Sequence, residues 1–463
     1  MINEIRSKIK SKKASCVEVT KEYLERAEKL NPKLNAYISI TKDIALKEAK
    51  RLDQEVDSSH DLDRLLQTKL LLGVPVGLKD IYSTEGIETT AASNILKGYI
   101  PQYSATVVRR LEDAGAIIIG KLNNDAFAHG ASGENSDFGV TKNPFDEKRV
   151  AGGSSSGAGT SVAAEMSVIG MGTDTGGSVR NPASFTNTVG LKPTYGRVSR
   201  YGIIAMASSL DSIGHITTSV EDSAVVLKVT AGYDPYDATS SQSAVLDYEK
   251  SLTDSISGLK IGIPEEFMSS AIDAEIADAV NKSLKIYEKL GAEIVPIKLK
   301  HTEYALAVYY ILMPSEVSSN LARFDGIRFG KNRSEFGDEA KRRIMIGTYT
   351  LSSGYYDAYY LKAQKVRTLI IEDYKKAFEK VDVIVGPVSS VLPPLIGENV
   401  NDPLKMYLMD ILTVPANLAG LPALAIPAGF SKSGLPIGLQ IIGKHFDEAK
   451  LFNVGYALEQ ELK

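Results

Sequence analysis

The stretch VAGGSSSGAGTSVAAEMSVIGMGTDTGGSVRNPA, residues 150–183, decides how the rest of the chain is read. From Val150 to Ser178 its 29 residues hold eight Gly and six Ser. A flexible linker has that composition, but the middle, VAAEMSVIGMG, is small and apolar. The pattern predicts a buried helix followed by a strand, with a Gly/Ser-rich loop at each end. Those loops are Gly152-Gly153-Ser154-Ser155-Ser156-Gly157 and Thr173-Asp174-Thr175-Gly176-Gly177-Ser178. Glycine lets a backbone bend sharply and a substrate come close. The successive N–H groups of Thr175, Gly176 and Gly177 can form a nest for a developing oxyanion. On the residues alone, two readings stay open: a catalytic serine at 178, or two tight turns.

A nucleophilic serine needs a base. The five histidines, His60, His129, His215, His301 and His445, lack a recognisable triad context. Lys79 follows the apolar run LLGVPVGL (residues 71–78). Burial disfavours a charged amine and lowers its pKa, so such a lysine can accept a proton; serine–lysine variants of the triad exist. The competing reading is a lysine that snorkels to the surface.

Outward from this core, Ser15-Cys16-Val17-Glu18 is a capping box for a helix that Pro32 ends. Further helices are predicted at 43–56, 105–114, 274–290, 304–322, 357–379 and 447–462. Strands are predicted at 71–79, 116–119, 259–263, 381–385 and 437–442, with a polar loop at 58–63. Strands alternating with helices favour a layered α/β fold, and no interdomain linker interrupts it, so residues 1–463 are read as one domain with its core at about 71–215. Gly115–Lys121 looks like a phosphate loop, but Leu122 stands where Ser or Thr is required, and its apolar run is the strand itself. Gly157-Ala158-Gly159 lacks the third glycine of a dinucleotide fingerprint.

The 463 residues are 43% hydrophobic and 24% charged, as in an ordinary globular protein. Lys plus Arg is 53 and Asp plus Glu is 57, a net charge of −4. There is no basic block to bind nucleic acid directly. Cys16 is the one cysteine, which excludes an intrachain disulfide and fits a reducing compartment. The start, MINEIRSKIKSKK, has no apolar core for a secretory signal, and Glu4 argues against a transit peptide.

GGSSSG from Gly152, GTDTGGSVRNPA from Gly172 and GLKPTYGRVSR from Gly190 closely resemble the amidase signature family. The resemblance implies a large mixed β-sheet covered by helices on both faces. It implies a relay of Lys79, Ser154 on a cis peptide, and nucleophilic Ser178, with Thr175, Gly176 and Gly177 as oxyanion hole. SSNLARFDGIRFG from Ser318, KRRIMIGTYTLSSGYYDAYY from Lys341 and TVPANLAGLPALAIP from Thr413 resemble the amidase branch of the glutamyl/aspartyl-tRNA amidotransferases. For that branch, Tyr309, Arg343 and Asp410 are expected to contact glutamine, Arg343 at the α-carboxylate and Asp410 at the α-ammonium. The expected partners are a B-type amidotransferase subunit, together with a small one of C-type or F-type, and tRNA is reached only through the complex. This chain is expected to carry no cofactor and no metal, with ATP and Mg at the partner. The compartment is expected to be the cytoplasm, or the mitochondrial matrix in a eukaryote. The other readings are a stand-alone amidase for small amides and a catalytically silent scaffold. The chain departs from the family's usual pattern at Ser156, near Ala126 and His129, at Phe185-Thr186-Asn187, and in a short connection at 331–337.

Overall fold

The structure is a computed structural model and describes residues 1–253, 255–328, 330–399 and 402–463. Among these residues eleven strands form one sheet. They are β1 (Tyr37–Ile40), β2 (Pro75–Lys79), β3 (Ile117–Leu122), β4 (Ile169–Asp174), β5 (Val189–Lys192), β6 (Ser212–Thr217), β7 (Lys260–Pro264), β8 (Glu293–Ile297), β9 (Val383–Pro387), β10 (Ala423–Phe430) and β11 (Pro436–Ile442). Their order is β1-β3-β2-β4-β6-β5-β10-β11-β9-β7-β8. β2 runs parallel to both β3 and β4, and β7 parallel to β8 and β9, while the centre of the sheet is antiparallel. Every residue of β2, β3, β4, β6 and β11 is buried. Successive strand side chains face opposite sides, so both faces of the sheet are covered, as the family resemblance implies. Among the described residues no helix is long and apolar enough to cross a membrane.

The Gly/Ser-rich stretch is built differently from its reading. Its helix is Ser156–Ala163, so the first loop turns directly into helix at Ser156, and the apolar stretch after it supplies β4. The capping box at Ser15 is present, but the helix it starts runs Cys16–Leu34 with Pro32 in its last turn. Pro32 removes a single N–H there, and the helix ends at Asn35, which takes the left-handed conformation. The basic N-terminus forms the helix Ile2–Lys10 and buries Ile2, Ile5 and Ile9 in the core.

Two helices carry side chains to the site. Ala305–Asn320 bears Tyr309, and Asp338–Thr350, absent from the sequence reading, bears Arg343. They pack on each other where Gly347 meets Pro314. A Cβ at Gly347 would stand 2.9 Å from the Ser315 nitrogen and nearer still to the Pro314 carbonyl. Helix propensity alone would make Gly347→Ala stabilising by up to about 1 kcal/mol. Forcing the helices apart costs about 1–3 kcal/mol and should win. Denaturant unfolding of Gly347→Ala is therefore expected to show a net loss of stability; a gain would mean that the helices yield freely at this contact.

Candidate active site

Lys79 ends β2 and Asp174 ends β4, its parallel neighbour, so the two chain segments leave the sheet at the same edge. Loops at the carboxyl ends of parallel strands are where α/β folds place ligands. The Lys79 side chain is 0% exposed. Its Nζ reaches Ser154 Oγ at 2.6 Å, Ser155 Oγ at 3.1 Å and Thr173 Oγ1 at 3.1 Å. Among the described residues no carboxylate touches it. Burial pushes the amine down to about 7, and the more distant Asp125, Asp174 and Asp211 only partly oppose that. The snorkelling reading of Lys79 is excluded by this burial.

Ser154 follows a cis peptide bond from Gly153. Gly153 N–H donates to the Ala131 carbonyl at 2.7 Å, and Asp125 N–H donates to the Ser154 carbonyl at 3.2 Å. Ser178 is 7% exposed, and its carbonyl accepts from Ser155 N–H at 3.1 Å, which joins the two loops. The lysine–Ser154 leg of the expected relay is thus in place. Among the described residues the Ser154 and Ser178 hydroxyls are not hydrogen-bonded to each other; what joins their loops is the Ser155–Ser178 backbone bond.

The Ser178 loop closes on the Asp174 carboxylate. It accepts from Gly177 N–H at 2.9 Å, Val179 N–H at 3.2 Å, Arg180 Nε and Nη2 at 3.0 Å each, and Asn417 Nδ2 at 2.9 Å. Burial alone would raise this carboxyl, but Arg180 and its other partners take it down to about 2. The Gly177 contact corrects one expectation: its N–H is bonded to Asp174 and is not presented to a substrate. The N–H groups of Thr175, Gly176 and Ser178 make no hydrogen bond among the described residues. Gly176 is also required where it is, since a Cβ there would come 2.7 Å from Tyr309 Oη.

Tyr309, Arg343 and Asp410, far apart in sequence, gather beside this loop. Arg343 and Asp410 are 3% and 6% exposed. Arg343 Nε donates to Glu339 at 2.8 Å, and its guanidinium lies over the Tyr310 ring, 5.6 Å from the centroid. Apart from a contact to Met313 Sδ at 3.3 Å, its outer nitrogens make no hydrogen bond among the described residues. Tyr310 stacks on Tyr407 at 3.8 Å and donates to Asp410 at 3.3 Å. Asn181 Nδ2 donates to the other Asp410 oxygen at 2.9 Å. Burial raises the Asp410 carboxyl to about 8 despite Arg343 nearby, so an arriving cation would restore its charge.

A family model described as Amidase matches residues 18–452. The chain belongs to the amidase family. It is 52% identical to the A subunit of glutamyl-tRNA(Gln) amidotransferase from Thermoanaerobacter pseudethanolicus, covering 100% of this chain and 96% of that one. It is 51% identical to the protein of the same name from Geobacter metallireducens, over 99% and 96%. The crystal structure of the Thermotoga maritima protein of that name matches with a TM-score of 0.82 and 41% identity, over 96% of this chain and 93% of that one. Within this amidase, the sequence reading missed the residues that hold the candidates in place: Ser155 and Thr173 on Lys79, Asp174 and Arg180 under Ser178, and Tyr310 and Asn181 on Asp410. Arg180 lies in the signature itself, but a single arginine in a motif does not reveal a carboxylate partner.

Arg180→Met should leave the Asp174 charge buried and unpaired, at a cost of about 3–5 kcal/mol. The double variant with Asp174→Asn should recover part of that loss. Urea unfolding of both singles and the double decides it: additive losses would show that the pair is not coupled.

Proposed function

We propose that this chain is the glutamine-hydrolysing component of a tRNA-dependent amidotransferase. Ammonia released here passes to a B-type partner, which converts Glu-tRNA(Gln) or Asp-tRNA(Asn) to the amidated form. A small C-type or F-type protein completes the complex, tRNA is met only through it, and ATP and Mg act at the partner. The relatives' names support this reading and so does their full-length likeness. The observation that carries it is the pairing of buried Arg343 and Asp410, bridged by Tyr310, beside the Ser178 loop. That wall offers opposite charges to an α-amino acid, which a neutral amide could not use. A cytoplasmic site of action goes with the reading.

Neutral Lys79 takes a proton from Ser154, which takes one from Ser178. The Ser178 oxygen adds to the side-chain amide carbon of glutamine. The N–H groups of Thr175, Gly176 and Ser178 receive the oxyanion in place of the expected Thr175, Gly176 and Gly177. The C–N bond then breaks, and the proton returns through Ser154 to the departing ammonia. Water adds to the acyl-Ser178 ester, with the same relay taking its proton, and glutamate leaves.

A base with a pKa of about 7 must lose its proton to work. Activity is therefore expected to rise with pH, with a midpoint near 7, and to level off above it. Lys79→Arg keeps the charge but cannot deprotonate in this range, so it should lose about 10²–10⁴-fold, the same as is expected of Lys79→Ala. A flat pH–rate profile, or an active Lys79→Arg, would reduce the lysine to an electrostatic support. Ser178→Ala should be inactive yet folded.

The pocket has its own test. Glutamine should be preferred strongly over propionamide in kcat/KM, measured with the B-type partner present. Arg343→Ala and Asp410→Ala should each weaken glutamine turnover by about 2–5 kcal/mol while leaving propionamide little changed. Equal use of both amides by the wild type would favour the stand-alone amidase.

A further inference from the structure

His129 is 1% exposed, and neither ring nitrogen has a hydrogen-bond partner among the described residues. Leaving both imidazole nitrogens unpaired in a protein interior is costly, and a merely structural position is better filled by an apolar side chain. The loop that holds it is built into the site. Asn135 Nδ2 donates to the His129 carbonyl at 3.1 Å and also approaches Met406 Sδ at 3.9 Å, on the segment leading to Asp410. Two residues past His129, the Ala131 carbonyl accepts from Gly153, next to Ser154. The His129 ring lies 6.2 Å from that of Phe127, which packs on Phe336 just before the helix of Arg343. Burial keeps the imidazole unprotonated, and the Arg343 charge acts in the same direction, as does Lys79 whenever it is protonated.

We propose that His129 is a substrate-contacting residue, its ring N–H donating to the α-carboxylate that Arg343 holds. A carboxylate has room for about four hydrogen bonds, and the outer edge of a guanidinium fills only two. A neutral imidazole supplies a further donor without adding a second positive charge beside Arg343. The proposal rests on the glutamine reading above and assigns His129 to specificity: it should matter for amino-acid amides and not for amides that lack the carboxylate.

The experiment measures KM and kcat for glutamine and propionamide in the wild type, His129→Leu and His129→Gln, with the partner present and the unfolding temperature recorded. A hydrogen bond to a charged group predicts that His129→Leu raises the glutamine KM about 10- to 100-fold. Propionamide constants should stay in place, and the unfolding temperature should hold or rise. His129→Gln, which keeps a donor, should recover much of the loss. An unchanged glutamine KM in His129→Leu overturns the proposal, and so does a parallel decline for both substrates with a lower unfolding temperature. If His129→Leu does not fold, the wild-type chain labelled with ¹⁵N-histidine decides: glutamine, but not propionamide, should shift the His129 ring signals, and no shift overturns the proposal. Failure of the glutamine reading shows itself separately, as a wild type that does not prefer glutamine, and removes both.

Discussion

The carboxylate of Asp174 is the point on which the site depends. It sits at the last residue of β4, buried in the sheet's edge, and draws three backbone N–H groups of the following turn onto itself. A turn wound around one acceptor has a single shape, so Ser178 is delivered to the same place each time. The cost of burying that charge is offset by Arg180, whose Nη1 donates to Gln440 on β11 and whose Nη2 also donates to Asn417 and to the Thr413 carbonyl ahead of β10. The loop of the candidate nucleophile is thereby locked to strands that lie more than two hundred residues later in the chain.

Burial has opposite uses on the two sides of the pocket. Lys79 is surrounded by hydroxyls with no carboxylate in contact among the described residues, which favours the uncharged amine that a proton relay requires. Asp410 is buried with hydrogen-bond donors on both oxygens, and its carboxyl is poised to regain charge when a cation arrives. Burial is not sufficient by itself. Lys121 is equally enclosed, but it donates to the Tyr82 carbonyl at 2.5 Å and lies 3.7 Å from Asp80, and burial takes it only to about 8. Its environment ties β3 to the segment that follows β2 and offers it no serine hydroxyl among the described residues.

The same comparison explains what could be read from the chain. An apolar run precedes Lys79, but AIII precedes Gly120-Lys121 too, so flanking hydrophobicity could not separate the two lysines; the signature did. Long amphipathic helices such as Ala274–Lys289 were legible from their periodicity. Strand β10 was not read, because Pro427 interrupts it; in the structure the ladder shifts register between Pro427 and Gly429 and continues. β1 and β5, four residues each, were too short to stand out. Tyr310 escaped notice since nothing in its local sequence marks it against Tyr309; only its reach to Asp410 does. A single sequence reports local pattern, and these roles belong to pairs.

The strand order has a consequence for how the chain is made. β5 pairs on its far side with β10, which begins at Ala423, whereas β5 ends at Lys192. At about 5–20 residues per second on a ribosome, the open edge of β5 waits on the order of tens of seconds for its partner. An unpaired buried edge is a template for pairing with another chain. The nascent first half, which already contains Lys79, Ser154 and Ser178, is therefore vulnerable to aggregation during that interval, and at that stage Arg180 has Asp174 but not yet Gln440, Asn417 or Thr413 to hold it.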